Sequence, residues 1–181
     1  MIKMITLSQR LKRQQEQSNG VNNRISIRDK LLTREAQEMA QLLPSNCSIT
    51  YENVNDLSSF LLFVKPTEGF WQDGCFKFSV KVTEEYNMVP PIVKCLTRLW
   101  HPNINETGEV CLSLLRQHSV DGLGWSPIRR LNDVVWGLHA LFTDLLNFDD
   151  PLNIEAADMY RTSKEEFHKK VSEYVKLYAK E

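Results

Sequence analysis

The chain has 181 residues, of which 42% are hydrophobic and 25% are charged, and these proportions are typical of one globular domain. Its 22 basic and 23 acidic residues nearly cancel and neither sign forms a long block, which disfavours nucleic acid and anionic membranes as partners. No apolar run approaches the ~20 residues of a membrane span, and the N-terminus lacks a signal-peptide pattern. We therefore expect a cytoplasmic and nuclear protein.

Residues 1–24 are polar and rich in Gln and Asn, which predicts a flexible N-terminal tail ahead of a core domain over residues 25–181. Four apolar residues in this tail lie roughly one helical turn apart, so they could form a short helix in a partner's groove: Met4, Ile5, Leu7 and Leu11. Composition alone favours a frayed terminus over this docking helix.

A helix is predicted to begin at Ser26, whose hydroxyl can cap it, and to end at Pro44. Four strand-like runs follow, rich in aromatic and β-branched residues or alternating in polarity, at residues 47–51, 57–64, 76–82 and 92–100. The short turns between them favour an antiparallel meander.

From Leu131 to Leu145 the apolar residues recur at helical spacing, which predicts a helix that packs on the sheet. A final helix begins at Ser163, a capping residue with Glu166 three positions later. Segregation of the strands from the helices indicates an α+β fold with an N-terminal helix, a four-stranded meander and C-terminal helices.

The four cysteines, Cys47, Cys75, Cys95 and Cys111, are scattered, with no C-x-x-C pair and no histidine at zinc spacing. This pattern predicts reduced thiols and no metal site. Cys111 lies in a long segment rich in Pro, Gly and Asn between the last strand and the long helix, and such loops are usually functional. A lone cysteine flanked by leucines is nevertheless ordinarily a buried apolar residue.

Several short motifs change that interpretation of Cys111. Together they resemble the ubiquitin-conjugating enzyme family over nearly the whole chain after the tail: H-P-N at 101–103, Cys111 eight residues after Asn103, W-S-P at 125–127, D-P-L at 150–152, and Tyr86 with Pro90-Pro91 upstream. The resemblance implies that Cys111 holds a ubiquitin-like modifier as a thioester and that no cofactor is bound, with ATP used upstream by an activating enzyme.

The resemblance also implies roles for the neighbouring residues. His101 and Pro102 would be structural, while Asn103 could either donate to the oxygen of the tetrahedral intermediate or only scaffold the loop. Asp150 would position the acceptor amine, which is unprotonated only about once in 2,500 molecules at pH 7. The alternative for Asp150 is a helix cap, and Asp149 or Asp144 could replace it.

Within the family, the segments VCLSLLRQHSVDG, GWSP, DVVWGL and LFTDLLNFDDPLNIEAA resemble the second type of conjugating enzyme of the neddylation branch. The implied modifier is Nedd, and the implied acceptor is a cullin lysine. The implied partners are a heterodimeric activating enzyme bound by the apolar tail residues, a RING-type ligase, and a co-ligase that reads the N-terminus. The ligase loops would present Met88, Pro90, Pro127 and Ile128.

Three rival functions remain open from the sequence. The first is the same chemistry with ubiquitin as the modifier. The second is a noncatalytic binding module of the same fold. The third is a cysteine hydrolase in which His101 would activate Cys111.

Overall fold

The computed structural model describes residues 26–119, 121–143, 145–148 and 150–180. Within these ranges a helix precedes four strands, a short 3-10 turn and three further helices. The elements are α1 (Ile27–Leu42), β1 (Cys47–Thr50), β2 (Ser59–Val64), β3 (Phe76–Lys81), β4 (Ile92–Cys95), the 3-10 turn (Ser113–Leu115), α2 (Leu131–Ala140), α3 (Ile154–Thr162) and α4 (Lys164–Tyr178). The described part of the chain contains no helix that is both long and apolar enough to cross a membrane.

Helix α1 begins and ends as predicted. The Ser26 hydroxyl accepts a hydrogen bond from the Asp29 N–H at 3.0 Å, which satisfies one of the unpaired donors of the first turn. Leu32, Ala36 and Met39 are buried, and the helix ends two residues before Pro44.

The sheet is an antiparallel meander in the order β1-β2-β3-β4, which confirms the predicted fold. Burial alternates along β2 and β3, because successive side chains of a strand point to opposite faces. One face therefore supplies the core, with fully buried side chains at Phe60, Leu62, Val64, Phe76, Phe78 and Val80.

Strand β4 is shorter than predicted, because it ends at Cys95 and not near Trp100. The Lys77 N–H is bound by the Thr97 hydroxyl at 2.8 Å, so a side chain has replaced a backbone carbonyl in the ladder. The chain then leaves the sheet and leads directly into the H-P-N segment.

Helix α2 also ends earlier than predicted, at Ala140, and Leu145 is 47% exposed. A continued helix would use the Leu141 carbonyl to accept from the Leu145 N–H. His101 Nε2 occupies that carbonyl at 2.8 Å, and the Leu145 N–H bonds to the Ala140 carbonyl instead. The helix therefore ends where a tertiary contact engages the carbonyl of its C-cap residue, Leu141.

Helix α3 entered the sequence analysis only as a segment that Asp150 could cap, and it begins instead at the N-cap Asn153, whose side chain accepts from the Ala156 N–H at 3.0 Å. Helix α4 is capped by Ser163 as predicted. Its buried residues Phe167, Val171 and Val175 pack into the common core, whereas Tyr178 is 44% exposed.

Candidate functional site

The H-P-N segment is organised around the buried imidazole of His101. Its Nε2 lies 2.8 Å from the Leu141 carbonyl and its Nδ1 lies 2.9 Å from the Asn103 N–H, so the bonds assign a neutral ring protonated on Nε2. Burial lowers the pKa of His101 to about 4. Because both nitrogens are already bonded, the ring could act as a base toward Cys111 only by giving up a bond to the loop.

Trp71 supports this imidazole, and no motif in the sequence singled it out. Its ring centroid lies 4.6 Å from that of His101, and its Nε1 donates to the Trp100 carbonyl at 3.0 Å. The indole is 1% exposed. A large rigid side chain thus fixes the start of the H-P-N segment.

Asn103 joins this segment to the chain that follows α2. Its side-chain Nδ2 donates to the Asn147 carbonyl at 2.6 Å, and its Oδ1 accepts from the Asn147 N–H at 3.0 Å. Pro102 contributes a second tie, because its carbonyl accepts from the Asn153 N–H at 2.9 Å. The Asn103 amide is therefore a scaffold in this structure, and its Nδ2 carries a second N–H beyond the one that Asn147 uses.

Cys111 is held beside Asn103 by the backbone. Its N–H donates to the Asn103 carbonyl at 2.8 Å, immediately after an antiparallel bridge between Ile104 and Val110. Gly108 closes this turn with φ +83°, and a Cβ there would lie 2.1 Å from the Cys95 carbonyl oxygen. The Cys111 side chain is half-buried, so its sulfur lies at the rim of the fold and not in the core.

Two other cysteines lie in different surroundings. Burial raises the pKa of both Cys47 and Cys95 to about 12, so neither is a thiolate at neutral pH. A thiolate is the nucleophilic form of cysteine, and these two sites suppress it.

Arg116 contacts Cys111, and the sequence analysis missed it. One terminal guanidinium nitrogen lies 3.7 Å from the Cys111 sulfur and 3.7 Å from Asp150 Oδ2. The pKa of Arg116 is raised, first by its hydrogen bond to Cys111 and further by attraction to Cys111, Asp150 and Asp121. The sequence could have indicated Arg116, because it places a cation five residues after the cysteine.

Asp150 lies at the surface, with its side chain 82% exposed. It does not cap α3, because Asn153 does so. Its Oδ2 lies 3.7 Å from the same guanidinium nitrogen of Arg116 that contacts Cys111. The substitutes considered for it, Asp144 and Asp149, lie outside the described residues.

The insertion between Cys111 and Trp125 is closed by backbone contacts at Arg116. The Arg116 carbonyl accepts from the Trp125 N–H at 2.8 Å, and the Arg116 N–H donates to the Ser113 carbonyl at 2.9 Å. Gly124 permits this approach, because a Cβ there would lie 2.6 Å from the Arg116 carbonyl oxygen. The insertion lines an open depression of about 410 Å³, and its His118 is exposed.

The predicted ligase loops meet at a second surface. Met88 is 68% exposed and Ile128 is 88% exposed, Pro127 is exposed, and Pro90 is half-buried. Asn87 joins the loops, since its side chain donates to the Pro127 carbonyl and its own carbonyl accepts from Trp125 Nε1 at 2.8 Å. Both loops are therefore presented as one unit.

The predicted docking residues Met4, Ile5, Leu7 and Leu11 lie outside the described residues, as does the boundary between tail and core. Among the residues that the structure does describe, no group of three or more His, Cys, Asp or Glu side chains could hold a metal ion.

Comparison with known proteins places this geometry in a family. Residues 31–175 match the family model described as ubiquitin-conjugating enzyme. A solved structure of Ubc12 from S. cerevisiae superposes with a TM-score of 0.71 at 30% identity, and the match covers 94% of this chain and 90% of that one.

Curated relatives match over nearly their whole length. The chain is 54% identical over 185 residues to the NEDD8-conjugating enzyme UBE2F of Danio rerio and 53% identical to that of Homo sapiens, covering 98% of this chain and 100% of each relative. The NEDD8-conjugating enzyme ubc-12 of Caenorhabditis elegans is 44% identical over 179 residues, covering 97% of this chain and 99% of the relative.

Proposed function

Since the chain belongs to the ubiquitin-conjugating enzyme family, we propose that it is a NEDD8-conjugating enzyme that transfers its modifier from Cys111 to a cullin lysine. The observation that carries this proposal is the similarity, over 98% of the chain, to relatives named as NEDD8-conjugating enzymes. The chain is a transferase that acts through a thioester intermediate, as its family does.

Loading requires an exposed and nucleophilic sulfur. Cys111 attacks the thioester of the activating enzyme, and one C–S bond replaces another of nearly equal energy, so no further ATP is used at this step. The guanidinium of Arg116 lies 3.7 Å from the sulfur. The half-buried rim position leaves the sulfur open to another protein.

Transfer to lysine requires a proton acceptor and a group that stabilises an oxyanion. Asp150 provides an exposed carboxylate close enough to Cys111 for one guanidinium nitrogen to contact both. Asn103 is fully buried, so its side chain would have to turn outward from Asn147 to donate to the oxygen of the tetrahedral intermediate. His101 and Pro102 hold this arrangement in place and take no part in proton transfer.

The partners follow from the same assignment. The apolar residues of the tail would dock on a heterodimeric activating enzyme, and the paired loops with Met88 and Ile128 would bind a RING-type ligase carrying the cullin. An N-terminal co-ligase is a further proposed partner. The chain would work in the cytoplasm and nucleus with no bound cofactor, since ATP is consumed by the activating enzyme.

The decisive experiment is a side-by-side charging assay with two activating enzymes, one supplied with NEDD8 and one with ubiquitin. We expect an ATP-dependent adduct with NEDD8 that thiol reductants release, and little or none with ubiquitin. Preferential charging with ubiquitin would show that the modifier is ubiquitin and not NEDD8, while the thioester mechanism would still hold.

Variants assign the nucleophile. Cys111→Ser should form an adduct that resists reductants, because an oxyester replaces the thioester, and Cys111→Ala should form none. Cys47→Ser is the matched control, since Cys47 is also half-buried, and it should charge normally. If Cys111→Ala left cullin modification intact in cells, the chain would be a noncatalytic module of this fold.

A further inference from the structure

We propose that Arg116 is a displaceable gate that occupies the position of the acceptor amine and so excludes untethered amines from the loaded enzyme. The proposal rests on the assigned function, because it needs a thioester on Cys111. It adds a specificity-determining residue to that function.

One nitrogen atom of Arg116 lies where the acceptor amine must lie. The terminal nitrogen of Arg116 lies 3.7 Å from the Cys111 sulfur and 3.7 Å from Asp150 Oδ2. A lysine that attacks the thioester must also place its nitrogen beside the carbon bound to that sulfur and within reach of the carboxylate. The guanidinium and the acceptor lysine thus compete for one carboxylate at one place.

The contact is built to be displaced. The side chains of Arg116 and Asp150 are 43% and 82% exposed, and a surface pair of this kind is weak. The backbone of Arg116 is held on both sides, by Ser113 and by Trp125, so the side chain can swing away and return to the same place. A lysine held by a ligase has a high effective concentration and can displace the guanidinium, whereas a free amine at low concentration competes poorly.

Transfer to lysine exchanges a carbon–sulfur bond for a carbon–nitrogen bond. The lysine nitrogen forms a bond to the thioester carbon, and the proton that it loses passes to Asp150 and from there to water. The carbon–sulfur bond breaks and its electron pair stays on the Cys111 sulfur as a thiolate. Once the product has left, Arg116 returns to the sulfur and to Asp150, which closes the gate again.

The test is single-turnover discharge of the purified NEDD8-loaded enzyme to free L-lysine without ligase, titrated to saturation. Arg116→Gln should lower the half-saturating lysine concentration about twofold to fivefold, the worth of a surface ion pair, with the maximal rate little changed. Arg116→Lys keeps the charge and should stay near wild type. Arg98→Gln is the matched control, because Arg98 is similarly exposed and pairs with Glu106, and it should change nothing.

The same titration in an Asp150→Asn background shows whether the gate acts through the carboxylate. There Arg116→Gln should have no further effect on the half-saturating concentration. The proposed gate is refuted if Arg116→Gln leaves the half-saturating lysine concentration unchanged or raises it. It is also refuted if Arg116→Gln lowers that concentration equally in the wild-type and Asp150→Asn proteins. Failure of the wild-type protein to form a thioester would instead overturn the proposed function, and charging is measured first.

Discussion

The Tyr86 hydroxyl lies 3.0 and 2.8 Å from the two carboxylate oxygens of Glu35, across 51 positions of the chain. The same carboxylate accepts from the Leu131 N–H at 2.8 Å, so one buried side chain joins α1, the loop before Met88 and the start of α2. The Tyr86 ring also lies 5.8 Å from that of Trp125. Glu35 therefore supports both loops of the proposed ligase surface from the side of α1.

Removing this carboxylate should destabilise the protein. Glu35→Ala leaves a buried hydroxyl and a buried N–H without their acceptor, and we expect a loss of about 2–4 kcal/mol in the free energy of unfolding, measured by urea denaturation. The control is Glu38→Ala, since Glu38 makes surface ion pairs with Arg34 and Arg130, and its loss of stability should be much smaller than that of Glu35→Ala. Equal losses in the two variants would refute the role of Glu35.

The carboxylate should also leave a signature in the pH dependence of stability. Burial is the largest influence on the pKa of Glu35 and raises it above the ordinary value of 4.5, against the hydrogen bonds from Leu131 and Tyr86. Its contribution to stability is full below pH 4.5 and is lost as pH rises through the raised value. Glu35→Gln removes this titration, so the stability difference between Glu35→Gln and wild type should shift in favour of the variant as pH rises.

His101 should produce a pH dependence of the opposite sign. Its pKa falls from 6.5 to about 4 on folding, so the unfolded chain takes up a proton first as pH decreases. The contribution of His101 to the free energy of unfolding is complete above pH 6.5, and the free energy of unfolding should fall by about 3 kcal/mol as pH falls to 4. Denaturation series of wild type and His101→Gln would show it, since the variant should lack this part of the slope. An imidazole that becomes protonated near pH 6.5 in the folded protein, seen by NMR, would contradict the prediction.

The thiols should differ in reactivity. Brief treatment with iodoacetamide at pH 8 should modify Cys111 well before Cys47 and Cys95, because burial raises the pKa of those two to about 12 while the Cys111 sulfur lies at the rim beside Arg116. Peptide mass spectrometry gives the extent at each position. Modification of Cys47 or Cys95 as fast as Cys111 would be inconsistent with this structure.

Asn103 should matter for transfer more than for loading. Asn103→Asp places a carboxylate against the Asn147 carbonyl and removes the donor to the oxyanion, so we expect lysine discharge to slow by about 10²-fold or more. Thermal unfolding of the same variant measures the scaffold role separately. If discharge were unchanged in a variant that remains folded, Asn103 would be a scaffold alone.

The exposed side chain of Ile128 should act only with the ligase. Ile128→Ala should reduce ligase-stimulated discharge several-fold to about tenfold, since a central apolar contact of a small interface is worth roughly 1 kcal/mol or more. Charging and unstimulated discharge should stay at wild-type rates. Leu177→Ala is the matched control, because Leu177 is 70% exposed on α4. A loss of unstimulated discharge would show that Ile128 does not act through binding of the ligase.

Local chemistry determined much of this fold. Ser26 and Ser163 cap their helices because a hydroxyl there satisfies the free N–H groups of the first turn, and this depends only on neighbouring residues. Alternating polarity in β3 likewise determined which of its faces is buried, whereas β2 is apolar on both faces and only the folded sheet shows which side chains enter the core. The candidate nucleophile was selected by the resemblance of several motifs to a known family, including the place of Cys111 eight residues after Asn103, since composition alone favoured a buried apolar cysteine.

Tertiary contacts decided the remainder. At the ends of β4 and α2, Thr97 and His101 form hydrogen bonds with residues 20 and 40 positions away. A short stretch of sequence around either end therefore cannot predict where the element stops. Arg116 is an ordinary surface cation in the sequence, and only the folded chain brings its guanidinium between Cys111 and Asp150. The sequence by itself thus determined most of the elements and the candidate nucleophile. The tertiary structure decided what surrounds that nucleophile, because hydrogen bonds and charge act through space between residues that are distant along the chain.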